Sequence, residues 1–388
     1  MFLQRFRKFT KRLNSLVNPM VGVAGFEPAT PTSRTWCATR LRYTPTEGRS
    51  YNPGTPKRKL EKTMTAEPGT RVLKADQEAI EASARYLSVG GLVAFPTETV
   101  YGLGADADNG EAIARLYAAK GRPLFNPLIA HVADIDTARR VGKLTAAAEK
   151  LAAAFWPGPM TLVLVKQPNC GVADLALAGL DTVAVRVPVH PVARALLHAF
   201  AGAVVAPSAN RSGHVSPTNA SHVLADLRGR IDLILDGGSC AVGLESTIVS
   251  CVDTPVLLRP GGLSREAIEH TLGEALTAAP VAEDAPIAPG MLTSHYAPRA
   301  AIRLDADAAQ PGEALLAFGS PPAFSGAMLN LSSRGDLIEA AANLFSHLRA
   351  LDASGAKRIA VMKVPHDGLG EAINDRLKRA AAPRRSSR

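Results

Sequence analysis

The chain carries no glycine-rich phosphate cradle. Its 388 residues contain no G-x-x-x-x-G-K-[ST] run, and Gly102 and Gly104 do not extend into G-x-G-x-x-G. A P-loop enzyme and a standard dinucleotide binder are both excluded, so any nucleotide phosphate has to be met by side chains. Cysteine is scarce as well. Cys37, Cys170, Cys240 and Cys251 make no C-x-x-C pair and share no zinc-ligand spacing with histidine, which leaves incidental or buried thiols in a reducing, cytoplasmic compartment. No uninterrupted apolar run approaches the roughly 18 residues that span a bilayer, so no membrane association is expected. Met1 to Arg12 is basic with scattered Phe and Leu, but it has neither the continuous apolar core nor the small-residue cleavage site of a secretory signal. There is no internal repeat.

What is present is ordinary in bulk and uneven in distribution. Apolar residues at 46% and charged residues at 20% fit a soluble enzyme, and the length suits two or three domains. The net charge of +9 invites a nucleic-acid reading, yet residues 1–63 hold 13 of the 44 Lys/Arg and 3 of the 35 Asp/Glu. The other 325 residues hold 31 against 32, a net −1, so the basic character is no sign that the folded part binds RNA. Residues 1–63 are rich in Pro, Thr, Arg and Gly without periodicity, and are expected to be a disordered tail or an over-extended start. Gly25-Phe26-Glu27-Pro28 is what the complement of a tRNA gene's T-arm encodes, and Met64 is the expected initiator.

From Asp76 the pattern becomes globular. Asp76 caps a helix whose Ile80, Ala84 and Leu87 recur at helical spacing up to Gly90-Gly91, and a strand follows over 92–95. That strand stops at Pro96 and gives way to Thr97-Glu98-Thr99-Val100-Tyr101-Gly102-Leu103-Gly104, read as a glycine-loosened loop presenting polar groups to a ligand. Helices are expected near 109–120, 145–155, 191–200, 218–228 and 264–276. Strands are expected over 128–132, 160–165, 182–188, 203–206, 231–235, 246–250 and 255–258. This alternation argues an α/β or α+β sheet. Residues 279–299 read as a Pro-rich linker. Strands near 301–304, 314–318, 327–331 and 358–362, with helices near 335–352 and 369–380, then make a small doubly wound domain.

Two stretches carry chemistry on physical grounds. In Thr182-Val183-Ala184-Val185-Arg186-Val187 the valines share one face, and Thr182 and Arg186 share the other. Either this is an edge strand with a solvated face, or it lines an anion pocket. Lys120 and Arg122 follow a helix end, where cations complement the helix dipole. Pro123, however, holds Arg122 extended, where its planar fork can take phosphate bidentately. His131 alone is more often a satisfied strand-end histidine, and turn chemistry alone would explain Ser208 and Asn210.

In combination these fragments are specific. Thr-Glu-Thr-Val-Tyr-Gly (97–102), Lys-Gly-Arg-Pro (120–123) with Asn-Pro-Leu (126–128), Asp-Thr-Val-Ala-Val-Arg (181–186), Pro-Ser-Ala-Asn (207–210), Glu-Ser-Thr (245–247), Arg-Pro-Gly (259–261) and Ser-His-Tyr-Ala-Pro (294–298) occur in family order. Over about residues 70–380 the chain resembles the threonylcarbamoyl-AMP synthase family in its longer, two-domain form. The resemblance implies a YrdC-like catalytic domain with a twisted mixed sheet over 64–278, the linker 279–299, and a smaller Rossmann-like α/β domain over 300–382. It implies synthesis of threonylcarbamoyl-AMP and pyrophosphate from L-threonine, bicarbonate (or carbon dioxide) and ATP with magnesium. Partner proteins would then transfer the group to a tRNA adenosine beside the anticodon. Thr99, His131, Arg186, Ala206 (through its backbone) and Ser246 would hold threonine. Arg122, Asn126, Thr182, Ser208, Asn210, Ser216, Arg259 and Tyr296 would hold ATP, with Lys120 and Arg122 as catalytic groups. Because Tyr296 lies in the linker, the linker is expected to fold over the pocket and the second domain to gate out water.

Two rival readings remain. One is a non-catalytic module of the same fold that grips double-stranded RNA, against which the near-neutral charge of 64–388 counts. For the same reason direct binding of tRNA is not expected. The other is a carbamoyl-adenylate-forming domain of a maturation enzyme, but the zinc-finger cysteines and acylphosphatase-like region that such enzymes carry are missing.

Overall fold

A computed structural model describes residues 69–278 and 295–383. The expectations for residues 1–63, for an initiator at Met64 and for the linker up to residue 294 lie outside the described residues. Strand β1 (Arg71–Lys74) precedes helix α1 (Gln77–Ser88), which starts where Asp76 accepts the Ala79 amide at 2.8 Å. Its stripe of Ala79, Ile80, Ala84 and Leu87 is buried.

Strand β2 (Val93–Phe95) runs into the threonine segment, and then the structure departs from the sequence reading. Gly102 and Gly104 belong to a strand, β3 (Gly102–Asp106), paired antiparallel with β2. A Cβ on Gly104 would lie 2.9 Å from the Phe95 ring and 3.0 Å from Val204. Glycine serves close packing here rather than looseness, and that cannot be read without the partner strand.

The remaining elements follow in chain order: α2 (Gly110–Lys120), β4 (Ile129–His131), α3 (Ile135–Val141), β5 (Gly142–Lys143), α4 (Ala146–Phe155), β6 (Met160–Lys166), α5 (Asp174–Leu177), β7 (Thr182–Arg186), α6 (Pro191–Phe200), β8 (Val204–Val205), α7 (Ala220–Leu227), β9 (Leu233–Asp236), β10 (Thr247–Ser250), β11 (Val256–Arg259), α8 (Arg265–Leu272) and β12 (Thr277–Ala278). Helices α3 and α5 and strand β5 are too short to show a period and were not expected. Among the described residues twelve strands form one mixed sheet, ordered β1-β9-β2-β3-β8-β4-β7-β6-β10-β11-β12, with β5 on β6.

Alternation along the strands sorts side chains to two faces. On one face Ala94, Leu103, Ala130, Leu162, Val185 and Val249 join the main core with residues of α2, α4 and α7. On the other face, one half of the sheet is covered: Val93, Phe95, Leu233 and Leu235 pack on α1 and α6. The other half is not covered in this way. There Ile129, Val163, Ala184, Ile248 and Leu258 cluster with Val252 and Val256, and no helix residue joins them. His131 and Arg186, cross-strand partners in the parallel β4–β7 pair, continue this face. A polar site on a sheet needs a stretch of face that no helix buries, and this half provides it.

A second sheet, four strands and all parallel, is ordered β13 (Ala301–Arg303), β16 (Arg358–Val361), β14 (Glu313–Ala317), β15 (Met328–Asn330), with helices α9 (Leu337–Ala353) and α10 (Gly370–Ala381). Its core is not self-contained. Val100, Val215 and Leu244 from the large-sheet region are in one cluster with Leu344, Phe345, Ile373 and Leu377. Ion pairs Arg349–Asp226 (2.8 Å), Arg265–Glu371 (2.6 Å) and Arg376–Glu245 (2.9 Å) tie the same two regions. The small domain is docked through these contacts as a buttress.

Candidate active site

The polar face of the sheet ends in a cavity lined by Thr97, Val100, Arg122, Ile129, His131, Arg186, Ala206, Ser208, Glu245, Ser246, Arg259, His295 and Tyr296, among others. Arg122, Arg186 and Arg259 arrive there from three separate segments and are all buried. Three guanidiniums around one small space in an interior dielectric repel one another; Glu98 offsets Arg186 and Glu245 lies in the lining, and an anionic ligand would offset the rest. Burial pulls Arg122 down to about 10, with Arg259 adding to the effect, and burial lowers Arg259 as well.

Each arginine is anchored by backbone carbonyls. Arg186 donates Nε to the Gly158 carbonyl (3.3 Å) and Nη1 to the Thr99 hydroxyl (2.8 Å), and its Nη2 pairs with Glu98. Thr97 donates to the Val100 carbonyl, so Thr99 must donate to Thr97 (2.7 Å) and accept from Arg186. Glu98 also accepts the Val189 amide at 3.2 Å. Strand β7 lies between β4 and β6, so the solvated-edge reading of Arg186 is overturned. Arg122 donates to the carbonyls of Asn126 (3.3 Å) and Pro127 (3.0 Å), which curls the Lys-Gly-Arg-Pro segment onto itself after the left-handed Gly121. Arg259 donates to both the carbonyl (2.8 Å) and the hydroxyl (3.2 Å) of Ser246, and that hydroxyl also meets Thr161 at 2.7 Å. A Cβ on Gly261 would lie 2.5 Å from the Thr247 amide nitrogen, which is why Arg-Pro-Gly can lie flat against Glu-Ser-Thr.

His131 sits edge-on to Phe95, and its Nδ1 is 3.2 Å from the Ile129 carbonyl. A carbonyl only accepts, so Nδ1 carries the proton and Nε2 is left as an acceptor. Burial, aided by Arg186, pushes His131 down to about 3, and burial pushes His295 down to about 3 as well. Both rings are neutral at neutral pH. Tyr296 adopts a left-handed backbone (φ 62°) and is stacked on Phe345 at 5.5 Å, so the end of the linker does reach the cavity.

Eight of the residues singled out from the sequence line the cavity: Arg122, His131, Arg186, Ala206, Ser208, Ser246, Arg259 and Tyr296. Thr99 lies directly behind Arg186, and Ser216 donates to Glu245 at 2.5 Å. Asn126 and Asn210 are buried, and each has an Oδ1 with no partner among the described residues. Two further expected residues lie away from the cavity lining. Lys120 is not at the cavity surface, because its ammonium donates to the carbonyls of Ser208 and Asn210. There it braces the Pro-Ser-Ala-Asn segment, and burial, then Arg122, drives its pKa well down. Thr182 shares the Arg186 face but opens β7 opposite Val165, about 13 Å along the strand from Arg186, and it does not line the cavity.

Comparisons with known proteins identify the family. Residues 85–261 match the Sua5–YciO–YrdC family model, described as telomere recombination. Residues 263–382 match the model described as the C-terminal domain of threonylcarbamoyl-AMP synthase. Threonylcarbamoyl-AMP synthase of Bacillus subtilis is 40% identical over 334 residues, covering 81% of this chain and 96% of that protein. This chain belongs to the threonylcarbamoyl-AMP synthase family. The Pyrococcus abyssi member is 41% identical over 332 residues, covering 80% of this chain and 96% of that one. The crystal structure of P. abyssi Sua5 complexed with L-threonine superposes with a TM-score of 0.75 at 39% identity, covering 80% of this chain and 98% of that one. Membership makes this protein a nucleotidyltransferase of tRNA processing, and the rival reading as a non-catalytic RNA-binding module falls.

Sequence reasoning missed several groups in this threonylcarbamoyl-AMP synthase pocket. Thr97, Glu98 and Glu245 sit inside the motifs without having been given roles, and His295 is beside Tyr296. Arg376 was missed altogether. Its signal was readable: it lies in the buried stripe Ala372, Ile373, Arg376, Leu377, Ala380 of α10, where an arginine needs a partner.

The neutral histidines predict a pH effect on stability. His131 and His295 bind protons below about 6.5 when unfolded, but only near about 3 when folded. The unfolded chain therefore takes up more protons across that window, and stability falls with acid by ~1.4 kcal/mol per pH unit for each ring. Glu245 and Asp375 have lowered pKa values and contribute only at still lower pH, so between pH 6.5 and 4.5 the drop comes from buried histidines, to which His222, pushed by burial down to about 4, and His190 and His347, also lowered by burial, add. Urea midpoints should drop across this interval, and His131→Asn should flatten the drop; a midpoint flat from pH 7 to 5 would contradict the assignment.

Proposed function

We propose that the cavity holds L-threonine at Arg186 and ATP at Arg122 and Arg259, and joins them through a carboxylated amine. The observation that carries this reading is the convergence of three buried guanidiniums on one cavity in a chain without a phosphate loop. Arg186, already oriented by Glu98 and Thr99, would take the threonine carboxylate, while His131 Nε2 and Ser246 read its amine and hydroxyl. Ser208, Ser216, Asn126, Asn210 and Tyr296 would read the nucleotide. Thr182 would take part only if the adenosine end extended along β7.

Chemically, the free amine of threonine attacks carbon dioxide derived from bicarbonate. A C–N bond forms, an amine proton leaves, and an N-carboxylate results. One of its oxygens then attacks the α-phosphorus as the bond to the β-phosphate oxygen breaks, giving threonylcarbamoyl-AMP and pyrophosphate. Two anions must meet, so positioning and positive charge supply most of the barrier reduction. Among the described residues no cluster of three His, Cys, Asp or Glu could cage a metal. Glu245, the carboxylate lining the cavity, is already engaged by Ser216 and Arg376. Magnesium would therefore enter with ATP, held by phosphate oxygens and water, and would supply neutralising charge. The labile product would be handed to partner proteins that modify a tRNA adenosine beside the anticodon.

A site that hydrogen-bonds the threonine hydroxyl should reject valine strongly, yet one methyl separates serine by only ~1–3 kcal/mol. Measurable serine turnover is expected at saturating bicarbonate, and none at all would mean the methyl is selected by shape. The function itself is tested by pyrophosphate release from ATP. Release should require both threonine and bicarbonate and yield a product with the mass of threonylcarbamoyl-AMP. Release driven by carbamoyl phosphate, or indifferent to threonine, would overturn the reading.

A further inference from the structure

Arg376 is the largest fully buried side chain among the described residues, and it belongs to the second domain. Its guanidinium spans three segments that frame the cavity. Nε pairs with Glu245 at 2.9 Å, and Nη2 donates to the Pro260 carbonyl at 2.9 Å. Its Cζ lies 5.1 Å from the centre of the Tyr296 ring, and Nη1 pairs with Asp375 at 2.6 Å. Pro260 follows Arg259, Glu245 precedes Ser246 and binds Ser216, and Tyr296 holds a left-handed backbone that other contacts must support. We propose that Arg376 is a positioning residue for the ATP half of the cavity, contributed by the second domain, which fixes Arg259, Glu245 and Tyr296 in one arrangement.

The carboxylate end of the threonine half is organised by other contacts. Arg186 is set by Glu98, Thr99 and Gly158, none of which Arg376 touches, and Ser246, although Arg259 reaches it, keeps a separate contact to Thr161. A defect at Arg376 should therefore reach ATP and spare threonine. Lysine keeps the charge but is a point donor, unable to span Glu245, Asp375 and Pro260 with one planar group. The inference rests on the proposed division of the cavity between threonine and ATP, and the experiment keeps the two ideas apart.

Full-length Arg376→Lys is compared with the wild type for ATP KM and kcat by pyrophosphate release, and for threonine Kd by calorimetry without ATP. Arg376→Lys should raise the ATP KM by about 10-fold or more while the threonine Kd stays within about 2-fold. An unchanged ATP KM, a parallel weakening for both substrates, or a lower kcat with both constants unchanged would overturn the proposal. Should Arg376→Lys not fold, the charge-balanced double variant E245Q/R376Q carries the same prediction, and a wild-type ATP KM there overturns it equally. Arg259→Ala is the control for the division. An Arg259→Ala enzyme with wild-type ATP KM, beside an Arg376→Lys enzyme with a raised one, would sink the division and leave the Arg376 role standing.

Discussion

Arg186→Ala is expected to remove threonine-dependent pyrophosphate release and to destabilise the fold in the same stroke. Each charge-assisted contact to a carboxylate is worth ~1.5–3 kcal/mol, so turnover at fixed threonine should fall roughly 10- to 150-fold per lost contact. The fold suffers because Glu98, also buried, is left without its cation. Breaking a buried pair by removing one partner costs about 3–5 kcal/mol, more than the pair contributes over a neutral replacement. The two effects can be separated. Adding Glu98→Gln to Arg186→Ala should restore much of the thermal midpoint without restoring turnover. Recovery of activity in the double variant, or full activity in Arg186→Ala, would show that the carboxylate is held elsewhere.

Truncation after residue 278 is expected to do more than open a gate. Without the second domain, Val100, Val215 and Leu244 lose Leu344, Phe345 and the rest of the cluster they share. Each such side chain returned to water costs about 1.5–3 kcal/mol. Glu245 and Asp226 lose Arg376 and Arg349, and Arg265 loses Glu371. A poorly soluble or dye-binding species with turnover reduced more than about 100-fold is the expected outcome, because several losses of this size add. Far-ultraviolet and near-ultraviolet circular dichroism alongside pyrophosphate release would measure it. A truncated protein that unfolds cooperatively and turns over normally would contradict the buttress, and one that merely hydrolyses its product faster would favour the gate.

Much of the architecture was legible because local signals and tertiary placement agree. Asp76, Asn109 and Thr145 all cap the helices they announce, and the valine alternation of 182–187 put Arg186 on the face where it is found. The failures share a cause. Gly102 and Gly104 looked like loop residues because their reason, the Phe95 ring and Val204, comes from folding. That the Lys120 ammonium turns to the Ser208 and Asn210 carbonyls is not written in motif spacing, which does not say which side of a segment a side chain reaches. Thr182 shared a face with Arg186, and a shared face is not a shared pocket when four residues of strand intervene. Arg376 is more than a hundred residues from Glu245 in sequence, so only its place in an apolar helical stripe hinted at a buried partner.

The most direct test is the structure of the full chain with L-threonine and a non-hydrolysable ATP analogue bound together. The account predicts the threonine carboxylate on Arg186 and the triphosphate between Arg122 and Arg259, with the threonine nitrogen facing the α-phosphorus. A triphosphate lodged on any other surface, out of reach of those two arginines, would contradict it.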